Sequence, residues 1–428
     1  MFVKRLNVVF CIVLLVSLSF LLATAGAQER VKIKYAFWGN PMSIGIEEEI
    51  IKQFQKTYPN IEIEPIAAPH AEYHTKLLTM IAGGLAPDVM RINSYYFADF
   101  MDANALMNLD PLIERDNIDL SLYYEMGLPE SMYEGKMYGL PWGTAPLYLA
   151  YNIKMFKDTG IDVPRVGWTW EDFVETARSI AGGSGIERKY GYGAPFTNIA
   201  YFLPFIWAAG GDIFDQTKSK FTLDQPQAVK RLDEIASLIR EGVFANPLEL
   251  PTEEAVTRLF AQNLIAIRRA SAAEILGMQN IEGLDFEVIH CPTGEDIPNT
   301  TVVKSNTVGI SVSTKHPEEA WEFLKFLRAP GGPGDRLYAK AKRIPPTSKI
   351  PELWDLYLDP TKPPRKIKEI TQLISSTYGR TLPLRKGWLE IEGVLIPALQ
   401  KTWSAGIEAK TAITEVKAEI EEIMKSKN

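Results

Sequence analysis

The sequence predicts an α/β protein in which strands and helices alternate, and three observations carry that prediction. Residues 31–37 (VKIKYAF) and 61–66 (IEIEPI) alternate polar with apolar side chains, the period of a strand. Between them, residues 44–58 place Ile46, Ile50, Ile51 and Phe54 at the spacing of one helix face. A chain of 428 residues is also long enough for two or more domains.

In chain order, the first strand stops at the loop Trp38-Gly39-Asn40-Pro41, and Pro59-Asn60 ends the first helix. A second helix, 71–82, ends at Gly83-Gly84, and Pro87-Asp88 opens a third strand, 89–92. Strand, helix, strand, helix, strand implies a mainly parallel sheet with crossover helices. Ligands bind such sheets beyond the carboxyl ends of the strands, so Trp38, Gly39, Asn40, Asn93, Tyr95 and Tyr96 are candidate contacts. The chain changes character at 139–144 (GLPWGT). Beyond it lie a strand at 147–151, a helix at 170–181 capped by Thr169, and an amphipathic helix at 225–242. Strands follow at 265–268, 286–290 and 306–313, then a helix ending at Arg328 and helices at 388–405 and 411–425.

Composition narrows the function. Lys4 and Arg5, an apolar run from 6 to 22 and Ala25-Gly26-Ala27 form an export leader, with cleavage expected after Ala27. Cys11 lies inside the run behind bulky Val9 and Phe10, so no lipid anchor is expected, and the protein should work in the periplasm or outside the cell. Removal of the leader leaves Cys291 alone, so the core and not disulfides must hold the fold. The net charge, −7 overall and more negative without the two leader cations, argues against nucleic acid or an anionic membrane surface as partner. His70 and His74 stand at metal-binding spacing with no third ligand nearby, so neither metal nor cofactor is expected. Glu47, Glu48 and Glu49 read as a solvated helix face.

Five segments together resemble the sugar-binding group of extracellular solute-binding proteins of ABC importers, the group that includes maltose-binding protein. They are FQKTYPNIEIE (54–64), YHTKLLTMIAGGLAPDV (73–89), YGLPWGTAPLYLAYNIKMFKDTGI (138–161) with WTWEDFVETA (168–177), AAGGDIFD (208–215), and NTVGISVSTKHPEEAWEFLKFL (306–327) with GIEAKTAITEVKAEIEEI (406–423). The likeness runs over nearly the whole chain after the leader. One departure stands out. Where the family commonly carries Gly, any residue and Trp after a second-lobe strand, Ser271 and Ala273 follow Arg268 and Arg269 here.

The resemblance implies a two-lobed α/β fold with a ligand cleft between the lobes and a hinge of three crossings, near Thr144, within 286–300 and near Pro345. The first lobe would take 28–144 and 300–345, the second 145–299 and 346–428. It further implies a monomer, not an enzyme, that captures a sugar (an oligosaccharide by group) and delivers it to the permease of an ABC importer. Flat aromatics suit sugar faces and planar polar groups suit the hydroxyl rim. The candidates are therefore Trp38, Trp142, Trp207 and Trp388 as platforms, with Tyr201, Gly211, Asp212 and Asn306 beside them. Arg268, Arg269 and Arg343 would suit an acidic or phosphorylated sugar. The alternative reading is a secreted carbohydrate-active enzyme, but no paired acidic strand-end motif is present.

Overall fold

The computed structural model describes residues 30–342 and 344–427, so the expected leader and Arg343 lie outside the described residues. The alternating segments form β1 (Val31–Trp38), β2 (Ile61–Ala68) and β3 (Val89–Ile92), joined by the helices Pro41–Thr57 and His70–Ala82. β1 pairs in parallel with both neighbours. Period-2 patterning decides what each face buries: Ile33, Tyr35 and Phe37 enter one core, while Ala36 faces another with Met90 and Ile92.

A short hairpin, β4 (Met132–Tyr133) and β5 (Lys136–Met137), precedes β6 (Leu140–Pro146). β6 passes through the single residue Leu147 into β7 (Tyr148–Asn152), which belongs to a different sheet. That second sheet also contains β8 (Tyr190–Gly193), β9 (Ile265–Ala270) and β10 (Phe286–Ile289). The chain then returns to the first sheet through β11 (Thr301–Ile310), to whose start β12 (Gly379–Arg380) adds. The strand orders are β12-β11-β3-β1-β2, with β6 also on β11, and β10-β7-β9-β8. Two sheets make two lobes, the first backed by two cores and the second by another that also takes Val302 and Val303 from the start of β11.

Two expectations need correction. The second sheet is not mainly parallel: β7 runs antiparallel to β9 and β10, and only β8 and β9 are parallel. β7 enters straight from β6 without a crossover helix, so the rule that forces parallel strands does not apply to it. β11 starts at Thr301, five residues earlier than the apolar run at 306–313 suggests, because Lys304 and Asn306 are its two partly exposed positions and break the hydrophobic pattern. Helix ends follow local chemistry more closely. Thr169 caps Trp170–Ile180 with a reciprocal bond to Asp172, and the helix Trp388–Ala405 has the expected bounds. Helices Trp388–Ala405 and Ala409–Ser426 close over the second core with Ile391, Leu395, Ile413 and Ile420. Among the described residues no helix is long and apolar enough to cross a membrane.

Candidate functional site

The carboxyl ends of β1 and β3 and the partly exposed face of β11 form one wall of a cleft. Trp38, at the end of β1, is half-buried, with the rings of His70, Tyr73, His74 and Trp142 at 5.2 to 6.0 Å. Arg91 of β3 lies between the two tryptophans, 4.3 Å from the Trp38 ring and 4.1 Å from the Trp142 ring. Its charge is met by Glu47 at 2.7 Å, and both side chains are 1% exposed. Tyr35 and Tyr338 donate to the same carboxylate. Glu47 is therefore no part of a solvated face; it is the buried anion that holds Arg91 in place, and only Glu48 and Glu49 are exposed.

Further along this wall, Asn93 caps the helix Ser94–Asp102 through the Tyr95 amide, and the Asn93 amide donates to His74 Nε2 at 3.1 Å. His74 stacks on Tyr96 at 4.1 Å, and burial, then His70 and Arg91, lower its pKa to about 3. It is a neutral packing histidine. No group of three metal-ligating side chains occurs among the described residues. Lys304 of β11 donates to the Tyr95 hydroxyl and lies 4.4 Å from that ring. Burial, then the charge of Arg269, push Lys304 down to about 8, against the pull of Glu392 and Glu130. Glu130, which accepts from the Ser305 amide, is pushed up to about 8 by burial.

The second lobe supplies the other wall. Tyr95 donates to Asn198 at 3.2 Å and stacks on Trp388 at 6.4 Å. Asn198 in turn donates to Glu392 at 3.4 Å, and Glu392 also accepts from the Ile199 amide at 2.7 Å. A hydrogen-bonded path thus runs Lys304, Tyr95, Asn198, Glu392 from one lobe into the other. Burial raises the Glu392 pKa. Arg269 lies 4.1 Å over the Tyr201 ring on the same side. A cavity of about 500 Å³ opens beside Tyr95, lined by Glu130, Met132 and Tyr133 of one lobe and by Lys218, Leu382 and Arg385 of the other.

Trp38 and Asn93 lie against His70 and His74, Tyr95 meets Trp388, which is itself 1% exposed, Tyr201 lies under Arg269, and Asn306 is a partly exposed position of β11. Other candidates have structural work elsewhere. Asn40 caps the helix Pro41–Thr57, accepting from the Ser43 amide at 3.0 Å, and the Gly39 amide closes the β1–β2 end on Ala68. Tyr96 packs on His74, and Trp142 is buried against Arg91 and Tyr338. Trp207 is fully buried, with Arg380 4.5 Å over its ring. That arginine also pairs with Asp212 at 2.5 Å, so Asp212 holds the β12 strand. Gly211 is needed for packing: a Cβ there would meet Ala228 and Ile206 at 2.9 Å. Arg268 is fully buried and pairs with Glu253 at 3.0 Å and with Glu274. Arg269 meets the same two carboxylates. Ser271, at the position of the missing glycine, caps the helix Ala272–Met278 and steers Glu274 onto both arginines. Sequence reasoning missed Lys304, Glu130, Asn198 and Glu392. A lysine inside TVVKSNTVGI was the available signal.

Residues 40–332 match the family described as bacterial extracellular solute-binding protein. This chain belongs to that family. Its members bind solutes; they are not enzymes. A galactooligosaccharide-binding protein of Bacillus subtilis (strain 168) is 24% identical over 361 residues, 80% of each chain. Two solved structures share the fold. An ABC substrate-binding protein from Listeria monocytogenes in complex with cycloalternan has a TM-score of 0.80 at 23% identity, over 93% of this chain and 100% of that one. The sugar-binding protein MalE from Xanthomonas citri has a TM-score of 0.78 at 18% identity, over 92% and 98%.

Proposed function

We propose that this solute-binding protein is exported, captures a sugar in the interlobe cleft as a monomer, and delivers it to the permease of an ABC importer. The observation that carries the reading is the path through Tyr95, which joins a polar and aromatic first-lobe wall to Asn198, Glu392 and Trp388 of the second. A ligand placed there touches both lobes, and only such a ligand can favour the closed over the open form. Trp38, Tyr95 and Tyr201 offer ring surface, and Asn93, Asn198, Asn306 and Glu392 offer hydroxyl partners. The names of the Bacillus relative and of the Listeria complex, both concerning oligosaccharides, support the ligand class.

We assign 28–144 with 300–345 to one lobe and 145–299 with 346–428 to the other. The β6–β7 and β10–β11 passages serve as hinge segments, and the leader ends at Ala27. The test is a thermal-shift and titration screen of the mature protein over mono- and oligosaccharides. A cognate sugar at one hundred times its Kd should add about 2.7 kcal/mol of stability, with no product formed. Turnover of a sugar, or a panel without a single shift, overturns the reading.

A further inference from the structure

The cavity of about 500 Å³ beside Tyr95 differs in chemistry from the cleft it adjoins, and its volume is that of a small-molecule site. Three elements supply apolar walls. The helix Ser94–Asp102 gives Phe97 and Ala98, the β4–β5 hairpin gives Met132 and Tyr133, and the loop before the helix Trp388–Ala405 gives Leu382 and Leu384. Tyr133 is 38% exposed, apolar surface that no core takes up. Tyr95 also lines the cavity, so the two spaces share one side chain.

Polar ligand groups find few partners there. Glu130 is the one acid among the lining residues, and it already accepts from the Ser305 amide. The lining cations have acceptors of their own. Lys218 donates to the Leu384 carbonyl at 3.0 Å, Arg385 donates to the Lys218 and Met424 carbonyls at 2.8 Å, Lys386 pairs with Asp102, and Lys427 pairs with Glu390 at 2.8 Å. An acid group is therefore not called for, and a further sugar ring would bury hydroxyls without partners. An apolar ring would instead gain dispersion contacts with walls from both lobes.

We infer that the cavity takes the aromatic aglycone of a glycoside: the sugar lies in the cleft, and the ring bonded to it enters between Phe97, Met132 and Leu384. The inference rests on the sugar-capture reading above and names the ligand class, an aryl glycoside. A flat ring suits the space because Tyr95, Phe97 and Tyr133 border it, and aromatic pairs gain beyond the area they bury. Both lobes line the cavity, so a ring seated there favours the closed form just as the sugar does.

The experiment titrates the mature protein with matched methyl and phenyl glycosides of glucose and galactose, in both anomers. In at least one pair the phenyl glycoside should bind about tenfold tighter than the methyl one or better, the worth of burying a ring. Ala98→Met, which places a side chain in the cavity, should cut that preference below about threefold by taking the room of the ring. Independently of any variant, NMR on methyl-labelled protein should show contacts from the phenyl protons to the Met132 and Leu384 methyl groups. Equal affinities within every pair, an undiminished preference in Ala98→Met, or phenyl contacts confined to other methyl groups each overturn the proposal and leave the sugar-capture reading standing. Absence of binding by every glycoside, methyl and phenyl alike, would sink the sugar-capture reading together with it.

Discussion

Glu47 lies four residues before Ile51 and seven before Phe54, on the apolar stripe of the helix Pro41–Thr57, which aims it into the first core. Three consecutive glutamates disguise it, because composition says solvent and only the helix phase separates the inward one from the other two. Once inside it must have a cation, and Arg91 from the fully buried strand β3 is that cation. Removing one partner leaves an uncompensated charge, so Glu47→Ala should cost about 3–5 kcal/mol in urea unfolding. The double variant Glu47→Leu with Arg91→Met should recover most of that loss. A double variant that costs the sum of the two single variants would show that the pair is not coupled.

Glu130 makes a pH-dependent case at the same scale. Its folded pKa is raised, to about 8, so the folded state holds a proton that the unfolded state releases near the ordinary glutamate value. The stability it supports is complete below that ordinary value and is lost as pH rises toward 8. Glu130→Gln, which keeps the neutral shape, should match the parent near pH 5. It should gain on the parent up to pH 8 by no more than about 1.4 kcal/mol per pH unit. A stability difference that does not change with pH would contradict this.

At the scale of elements, the features that were legible are those fixed by near neighbours in the chain. The alternation in VKIKYAF sets the two faces of β1, and the Thr169 and Asp172 pair sets the start of its helix. What could not be read depends on distant partners: the direction of β7, the early start of β11, and the two carboxylates that bury Arg268 and Arg269. Trp207 and Trp388 are candidate platforms by residue type, and in the fold both rings are buried against protein groups, Trp207 under Arg380 and Trp388 beside Tyr95. Gly191 shows how tight packing against a glycine is. A Cβ there would lie 2.3 Å from the Ala177 carbonyl oxygen in the helix packed on β8. Gly191→Ala should therefore cost at least about 3 kcal/mol, since β8 and its helix must separate. Gly393, inside the helix Trp388–Ala405, has nothing within 4 Å of the same position. Gly393→Ala should add about 0.5–1 kcal/mol. Thermal melts of the two variants check both signs.

At the scale of the whole molecule, the first-lobe helix Ser94–Asp102 carries contacts to the second lobe. Tyr95 at its start meets Asn198 and Trp388, and Asp102 at its end pairs with Lys386 in the loop before the helix Trp388–Ala405. If the lobes open about the β6–β7 and β10–β11 passages, these contacts break together, and their sum sets how much of the unliganded protein is closed. Asp102 can be altered without touching the proposed ligand. A partly exposed ion pair of this kind is worth about 0.2–1 kcal/mol, and Asp102→Lys replaces attraction with repulsion of similar size. The closed form should lose about 1 kcal/mol relative to the open one, which lowers apparent sugar affinity about fivefold. The radius of gyration without ligand should rise in small-angle scattering, while saturating sugar restores the parent value. The melting temperature should stay within a few degrees, because each lobe keeps its own core. An affinity loss with an unchanged scattering profile would mean that Asp102 acts on the ligand site and not on closure, and the helix would then be a wall of the cleft but no latch.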